Sequence, residues 1–307
     1  MTATLRVLPG IADALHRGAA VVALETSVLS QGLPIPHNAD AATRMLSAVE
    51  RQGAVAALTA VVAGVASLGL TDAELQRFLA RTGVRKVSTR DLAACIVQGA
   101  DGATTVAASL ALAHAGGIEV FATGGIGGVH RGAPFDESAD LHALAGTPVI
   151  TVCAGAKSIL DLPATLERLE TLGVPVIGYR TDELPGFFTI GTGLRVPQRA
   201  ESPEEITRIA RAHWALGARS AVLVVQPPPV DAALDQLLVD AAVADAVREA
   251  ARLGITGAAV TPFLLGAVLA ATNGRTLPAN LALLESNATL AAQIAVACAE
   301  LSMHKQL

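Results

Sequence analysis

The chain has 307 residues, 52% of them hydrophobic and only 3% aromatic, with a formal net charge of −5. That length holds one large domain or two ordinary ones, and the acidic balance excludes the basic footprint with which proteins hold nucleic-acid polymers. The mean hydropathy of +0.50 raises the question of a membrane span. However, the uncharged stretch 53–70 is interrupted by Gly64 and Gly69, and a spanning helix needs about 20 mostly apolar residues.

The first residues, MTATLRVLPGIADALHRG, lack the apolar core of a secretory signal. Short, continuous β-branched runs, nearly without polar alternation, then recur at 20–24, 57–63, 84–87, 119–122, 149–153, 174–178 and 221–225. Such runs predict strands buried on both faces. Helical patterns lie between them at 38–52, 71–81, 104–114, 158–172 and 203–216. Thr71 before Glu74 and Ser202 before Glu205 have capping-box spacing, and Gly173, Gly217 and Gly254 mark stops. From about Asp231 the chain reads as mostly helical. This alternation predicts an α/β protein with helices on both faces of its sheet. No linker divides it, so residues 1–307 are expected to form a single catalytic domain. The three cysteines, Cys95, Cys153 and Cys298, are far apart, which fits free thiols in a reducing, cytoplasmic setting rather than disulfides or structural zinc.

In open α/β sheets, ligands bind at the carboxyl ends of strands, so polar residues directly after apolar runs are the candidates. Glu25 ends VVALETS; a carboxyl in apolar surroundings suits a general acid, and a turn cap near Ser27 explains it equally well. Lys86 lies in the polar cluster 85–91, where spacing alone favours a solvated face with a helix cap over a phosphate site. The segment GATTV opens a helix near Thr104, whose N–H groups suit an anion if they are not merely capped.

The segment FATGGIGGVHRGAPFDESADL is richer. Its glycines allow close backbone approach, yet their spacing is not a dinucleotide fingerprint. His130, Asp136, Glu137, Ser138 and Asp140 follow, and such hard donors suit Mg²⁺ or Mn²⁺. Finally, Lys157 stands between two apolar runs in a chain whose only other lysines are Lys86 and Lys305. Arginine serves almost everywhere a cation is needed, so a lysine there points to nucleophilic amine chemistry.

Taken together, ALETSVLSQGLP, RKVSTRDL, GATTVAASL, FATGGIGGVHRG, FDESADL, VCAGAKSILDL, GVPVIGY and TPFLL strongly resemble the pseudouridine-5'-phosphate glycosidases, or pseudouridylate synthases, over nearly the whole chain. The resemblance implies a three-layer α/β/α fold with a central, largely parallel or mixed sheet, and a cytoplasmic homotrimer. It implies interconversion of pseudouridine 5'-phosphate with uracil plus ribose 5-phosphate, without a membrane or nucleic-acid partner. It further implies Lys157 as the Schiff-base lysine, Glu25 as the proton donor and Asp136 as ligand of a divalent metal, Mn²⁺ foremost. Lys86, Val106, Ser138, Ala139, Asp140, His130 and Asn287 are implied as substrate-binding positions. Departures are ALET for ALES, a shorter segment between His130 and Asp136, and Ala258-Ala259 where a lysine or acid is common. From pattern alone, the alternatives are a Schiff-base sugar-phosphate aldolase on a (β/α)₈ barrel, a sugar kinase, for which no phosphate loop is present, and a ligand-binding protein.

Overall fold

A computed structural model describes residues 5–132, 136–255 and 260–303. Phe135 of the FDESADL motif, Ala258-Ala259 and Lys305 lie outside the described residues. The expected α/β fold is present. A mixed sheet of 11 strands has the main order β1-β4-β3-β2-β7-β8-β11-β9-β10, with β6 and β5 attached alongside β3.

The strands expected from apolar runs are there: β2 (Val21–Leu24), β3 (Val55–Val62), β5 (Val84–Val87), β7 (Val120–Ala122), β8 (Ile150–Cys153), β9 (Val176–Tyr179) and β11 (Val222–Val225). Every residue of β2, β7, β8 and β11 is buried, as their lack of polar alternation demands. Strands β2, β3, β7, β8, β11, β9 and β10 (Gln198–Ala200) pair in parallel. The sheet is open, ending at β1 (Arg6–Val7) and β10. It does not close on itself, so the (β/α)₈ barrel alternative is excluded.

Antiparallel pairing enters at β3, whose far half meets β4 (Val65–Leu68) as a hairpin. On its other edge, β3 pairs with β2 as far as Leu58 and then, antiparallel, with β6 (Asp101–Thr104) at Ala60 and Val61. Strands β2 and β6 therefore approach Thr59 from opposite directions, and their carboxyl ends converge there. This convergence positions half of the site.

Three helices close the chain: α9 (Gln236–Arg252), α10 (Val260–Ala271) and α11 (Thr276–Met303). By length and apolarity α11 matches a membrane span, but 67% of its most apolar window is buried inside the protein. It packs on β2, β7 and β8, and its small residues Ala288, Ala291, Ala292 and Ala295 allow that close approach. The three cysteines are free and buried.

Candidate active site

Five strand ends supply the site. After β2, Glu25 is 5% exposed and its carboxylate is held by two hydroxyls. Ser27 Oγ donates to Oε2 and Thr123 Oγ1, just after β7, donates to Oε1, both at 2.5 Å. After β8, the chain runs alongside the glycine segment. Ala154 N–H donates to Gly124 O, Ile126 N–H to Gly155 O, and Lys157 N–H to Ile126 O, at 2.9–3.1 Å. These bonds fix the backbone at Lys157. They also explain why no helix begins at Ser158. Asp161 N–H donates to Val129 O, and α7 (Leu162–Thr171) starts only after Asp161, whose side chain caps Ala164.

The fourth and fifth contributions come from β5 and β6, which pair in parallel with Lys86 opposite Ala103 and Val87 opposite Thr104. Thr105 N–H donates to Val87 O, so Lys86 stands beside the N-terminus of α5 (Val106–Ala115). The expected helix start at Thr104 is corrected here: Thr104 ends a strand and is fully buried. Its hydroxyl belongs to a knot with Thr26, Thr59 and Ser109. Thr104 N–H donates to Thr26 Oγ1 at 3.0 Å, Thr104 Oγ1 donates to Thr59 O at 2.7 Å, and the Thr59 and Thr104 hydroxyls lie 2.8 Å apart. Ser109 Oγ lies 2.8 Å from Thr59 Oγ1. The knot ties the end of β2, and hence Glu25, to the end of β6, and hence the helix that follows it.

Thr105 is the N-cap of α5 by backbone, yet its hydroxyl caps nothing. It is buried without a hydrogen-bond partner among the described residues. First-turn N–H groups lack intrahelical partners, so the helix end, Thr105 and Lys86 together suit an anion. Asp140 locks this end to the glycine segment: its carboxylate accepts from Ala107 N–H at 3.0 Å and Gly127 N–H at 2.8 Å. Ser138 caps α6 (Ala139–Gly146) through Asp140 N–H at 3.2 Å. A side chain on Gly127 or Gly128 would collide with Ser138 or Thr165, respectively. The glycine cluster is thus a packing requirement of the clamp.

Glu25, Lys86, Val106, His130, Asp136, Ser138, Ala139, Asp140 and Lys157 all line one cleft of about 500 Å³. It continues into a compartment of about 270 Å³ that shares Glu25, Lys86 and Lys157 and whose other lining residues include Gln31, Gly125, Phe187, Leu265 and Asn280. Lys86 is open to the cleft yet surrounded by protein. Its amine is held below the ordinary lysine value, first by loss of solvent and then by the charge of Lys157, against the pull of Glu25 and Asp140. His130 Nδ1 lies 3.1 Å from Asp136 Oδ2.

Asn287 stands apart from its expected role: it lines neither compartment and is 1% exposed. Its amide nitrogen donates to Thr123 O at 2.8 Å and Gly124 O at 3.2 Å, and its oxygen accepts from Gln226 at 3.0 Å. It holds the turn after β7 from behind. Asn280 on the same helix is the residue that sequence reasoning missed. It lines the smaller compartment, and its Oδ1 is buried without a partner among the described residues.

Comparison with known proteins agrees with this architecture. The family model described as indigoidine synthase A like protein matches residues 10–297. A pseudouridine-5'-phosphate glycosidase of Gemmatimonas aurantiaca is 63% identical, over 96% of each chain. One of Herpetosiphon aurantiacus is 50% identical, over 95% of this chain and 97% of that one. Among solved structures, the prealnumycin C-glycosynthase AlnA in complex with ribulose 5-phosphate superposes with a TM-score of 0.91 at 38% identity, covering 98% of both chains. An indigoidine synthase A-like protein of Thermotoga maritima gives 0.87 at 36% identity over 95% of both.

Proposed function

The chain belongs to the indigoidine synthase A-like family, together with the pseudouridine-5'-phosphate glycosidases it matches, and from that membership we propose that it interconverts pseudouridine 5'-phosphate with uracil and ribose 5-phosphate. The observation that carries the reading is a single cleft that gathers Lys157, Lys86 and the hydroxyl-held carboxyl of Glu25.

The chemistry explains why these groups are needed together. Breaking a bond between sugar C1' and a base carbon gives no heteroatom to protonate, so the paired carboxylates of ordinary glycosidases do not suffice. An amine offers another route. Lys157 Nζ bonds to C1' as the ring C1'–O4' bond opens, and the ring oxygen takes a proton. Loss of an N–H proton then leaves a secondary amine at C1', still bonded to the base, whose lone pair forms the C1'=N imine when the C1'–C5 electron pair leaves with the base. For cleavage, C5 of the base is protonated first, with Glu25 as donor. The C1'–C5 bond then breaks, uracil departs, and water hydrolyses the remaining sugar–lysine imine to ribose 5-phosphate. In synthesis the same steps run backwards, and Glu25 receives the C5 proton. Lys86, Thr105, Ser138 and the α5 N-terminus hold the phosphate. Asn280 meets the polar edge of the base in the smaller compartment.

A divalent metal fits one wall of this cleft. Among the described residues, no group of three His, Cys, Asp or Glu side chains is disposed to enclose an ion. Asp136 beside His130 instead suits a Mg²⁺- or Mn²⁺-type ion that keeps most of its waters and one or two carboxylates. Such an ion would supply positive charge to sugar and phosphate oxygens. The same reading includes a homotrimer in the cytoplasm, the first part of which light scattering on the purified protein tests.

The deciding experiment is chromatographic detection of pseudouridine 5'-phosphate from uracil and ribose 5-phosphate, with Mn²⁺ or with chelator. Product that requires metal supports the whole reading. No product from folded protein in either condition rejects it. Lys157→Ala retaining wild-type turnover would reject the imine.

A further inference from the structure

Phe187 has a φ of +67°, a left-handed conformation that a bulky residue adopts only where its surroundings impose it. Those surroundings are explicit. The Phe187 N–H donates to Ala154 O at 3.1 Å, the Gly186 N–H to Thr189 O at 3.1 Å, and the Leu234 N–H to Phe188 O at 2.8 Å. Gly155, itself at φ +86°, leaves no room for a side chain against the Pro185 carbonyl. The segment carrying Phe187 is thereby fastened directly to the one carrying Lys157.

The result is a ring laid across Gly125. A Cβ there would lie 2.6 Å from two ring carbons of Phe187, so the glycine and the aromatic are fitted to each other. The ring edges onto Phe188, with centroids 4.5 Å apart and planes at 63°. Phe187, 4% exposed, is among the residues that wall the compartment holding Glu25, Lys157 and Asn280. Core packing alone does not require a strained backbone, because an apolar side chain reaches a core from ordinary φ. Strain at a cleft wall is a mark of a ligand-binding feature.

Resting on the glycosidase reading above, we propose that Phe187 is the flat wall against which the planar base packs, and so a specificity determinant for the base half of the substrate alone. The two halves share Lys86 and Lys157, but Thr105 and Ser138 line only the larger one, whereas Phe187 and Asn280 line only the smaller. A neutral pyrimidine offers a polar edge, which Asn280 can meet, and a π face that binds an aromatic surface.

Steady-state synthesis with uracil and ribose 5-phosphate varied separately tests this, using Phe187→Leu, Phe187→Gly and Phe187→Tyr. Leucine keeps an apolar filler without a flat face, glycine relieves the left-handed backbone, and tyrosine keeps the ring. Loss of base stacking predicts a rise in uracil KM of roughly 5- to 150-fold for the leucine and glycine variants. The tyrosine variant should keep the wild-type uracil KM, and the ribose 5-phosphate KM should stay unchanged throughout. Borohydride trapping of ribose 5-phosphate on Lys157 should persist in every variant. An unchanged uracil KM in either the leucine or the glycine variant overturns the proposal, as does an equal rise in both KM values. Two variants bear on each point, so failure of one to fold leaves the other to decide. A wild-type enzyme that makes no pseudouridine 5'-phosphate fails before any variant is compared, and that result rejects the glycosidase reading and this inference with it.

Discussion

Replacing Asn287 separates a supporting residue from a substrate-binding one. The Thr123 and Gly124 carbonyls can only accept, so the amide nitrogen must face them and the oxygen must face Gln226. Asn287→Ala removes both donors and the acceptor at once, behind a turn whose other side carries the Thr123 hydroxyl on Glu25. A buried polar group left unpaired costs about 1–3 kcal/mol, and partial relaxation or an entering water lowers the sum. The expected loss is therefore about 3–5 kcal/mol, in the range of severe single substitutions. At about 2 °C per kcal/mol for a chain of this size, the melting temperature should fall by about 6–10 °C. Asn287→Asp should be worse near neutral pH, since a carboxylate oxygen would face two carbonyls, and should recover as acid protonates it. Differential scanning calorimetry reads the first effect, and kinetics on the folded fraction reads the second: kcat falls with the displaced Thr123, while the KM values move little. A variant with wild-type melting and a raised KM for either substrate would refute the supporting role.

The remaining predictions concern charge and the buried hydroxyls. Lys86 has its amine held down in the folded state, so below that depressed value the folded protein carries a penalty that the unfolded chain does not. The linkage predicts that wild-type stability rises with pH as the folded amine gives up its proton, up to the ordinary lysine value. Lys86→Met should stabilise the protein at pH 7 while sharply raising the ribose 5-phosphate KM; melting curves and kinetics together check this, and a destabilised variant would refute it. Glu74 is held at about 2 by the Arg6 guanidinium, which reaches it at 2.7 and 3.0 Å. Its contribution is present above the ordinary carboxylate value and is lost as pH falls towards 2. Glu74→Gln should cost about 1–2 kcal/mol near neutrality, after allowance for solvent screening at a partly open pair, and flatten the acid limb of a urea-midpoint profile. Thr59→Val keeps the shape but loses the shared hydroxyl; it should cost about 1–3 kcal/mol in urea unfolding, and Thr59→Ser should restore most of it.

Much of the fold was legible because both faces of the central strands are buried, which leaves unbroken apolar runs at 21–24 and 222–225. The site was legible for a related reason: Glu25, Lys86 and Lys157 are polar residues set where such runs end. What escaped depended on distant partners. The segment DGAT contains too little apolar sequence to announce a strand, and it becomes β6 by pairing with β3 and β5. Thr104 looks like a helix start, and only Thr26 and Thr59, far away in sequence, make it part of a core. Asn280 and Asn287 lie seven residues apart on α11, two turns and about 10 Å along one stripe. Both therefore face the same region, and only the depth of each in the fold decides which meets the cleft and which meets the backbone behind it.

The four buried hydroxyls where β2 and β6 converge restrict how this sequence can drift. Each oxygen leans on another, so a single apolar replacement strands a neighbour and is penalised even when its shape is kept. The tolerated routes are an exchange of serine for threonine, or replacement of the set as a group by hydrocarbon. Residues 26, 59, 104 and 109 come from three separate segments, yet they should vary across relatives as a block rather than singly. The knot would then be visible in aligned sequences as correlated change among positions that touch no substrate.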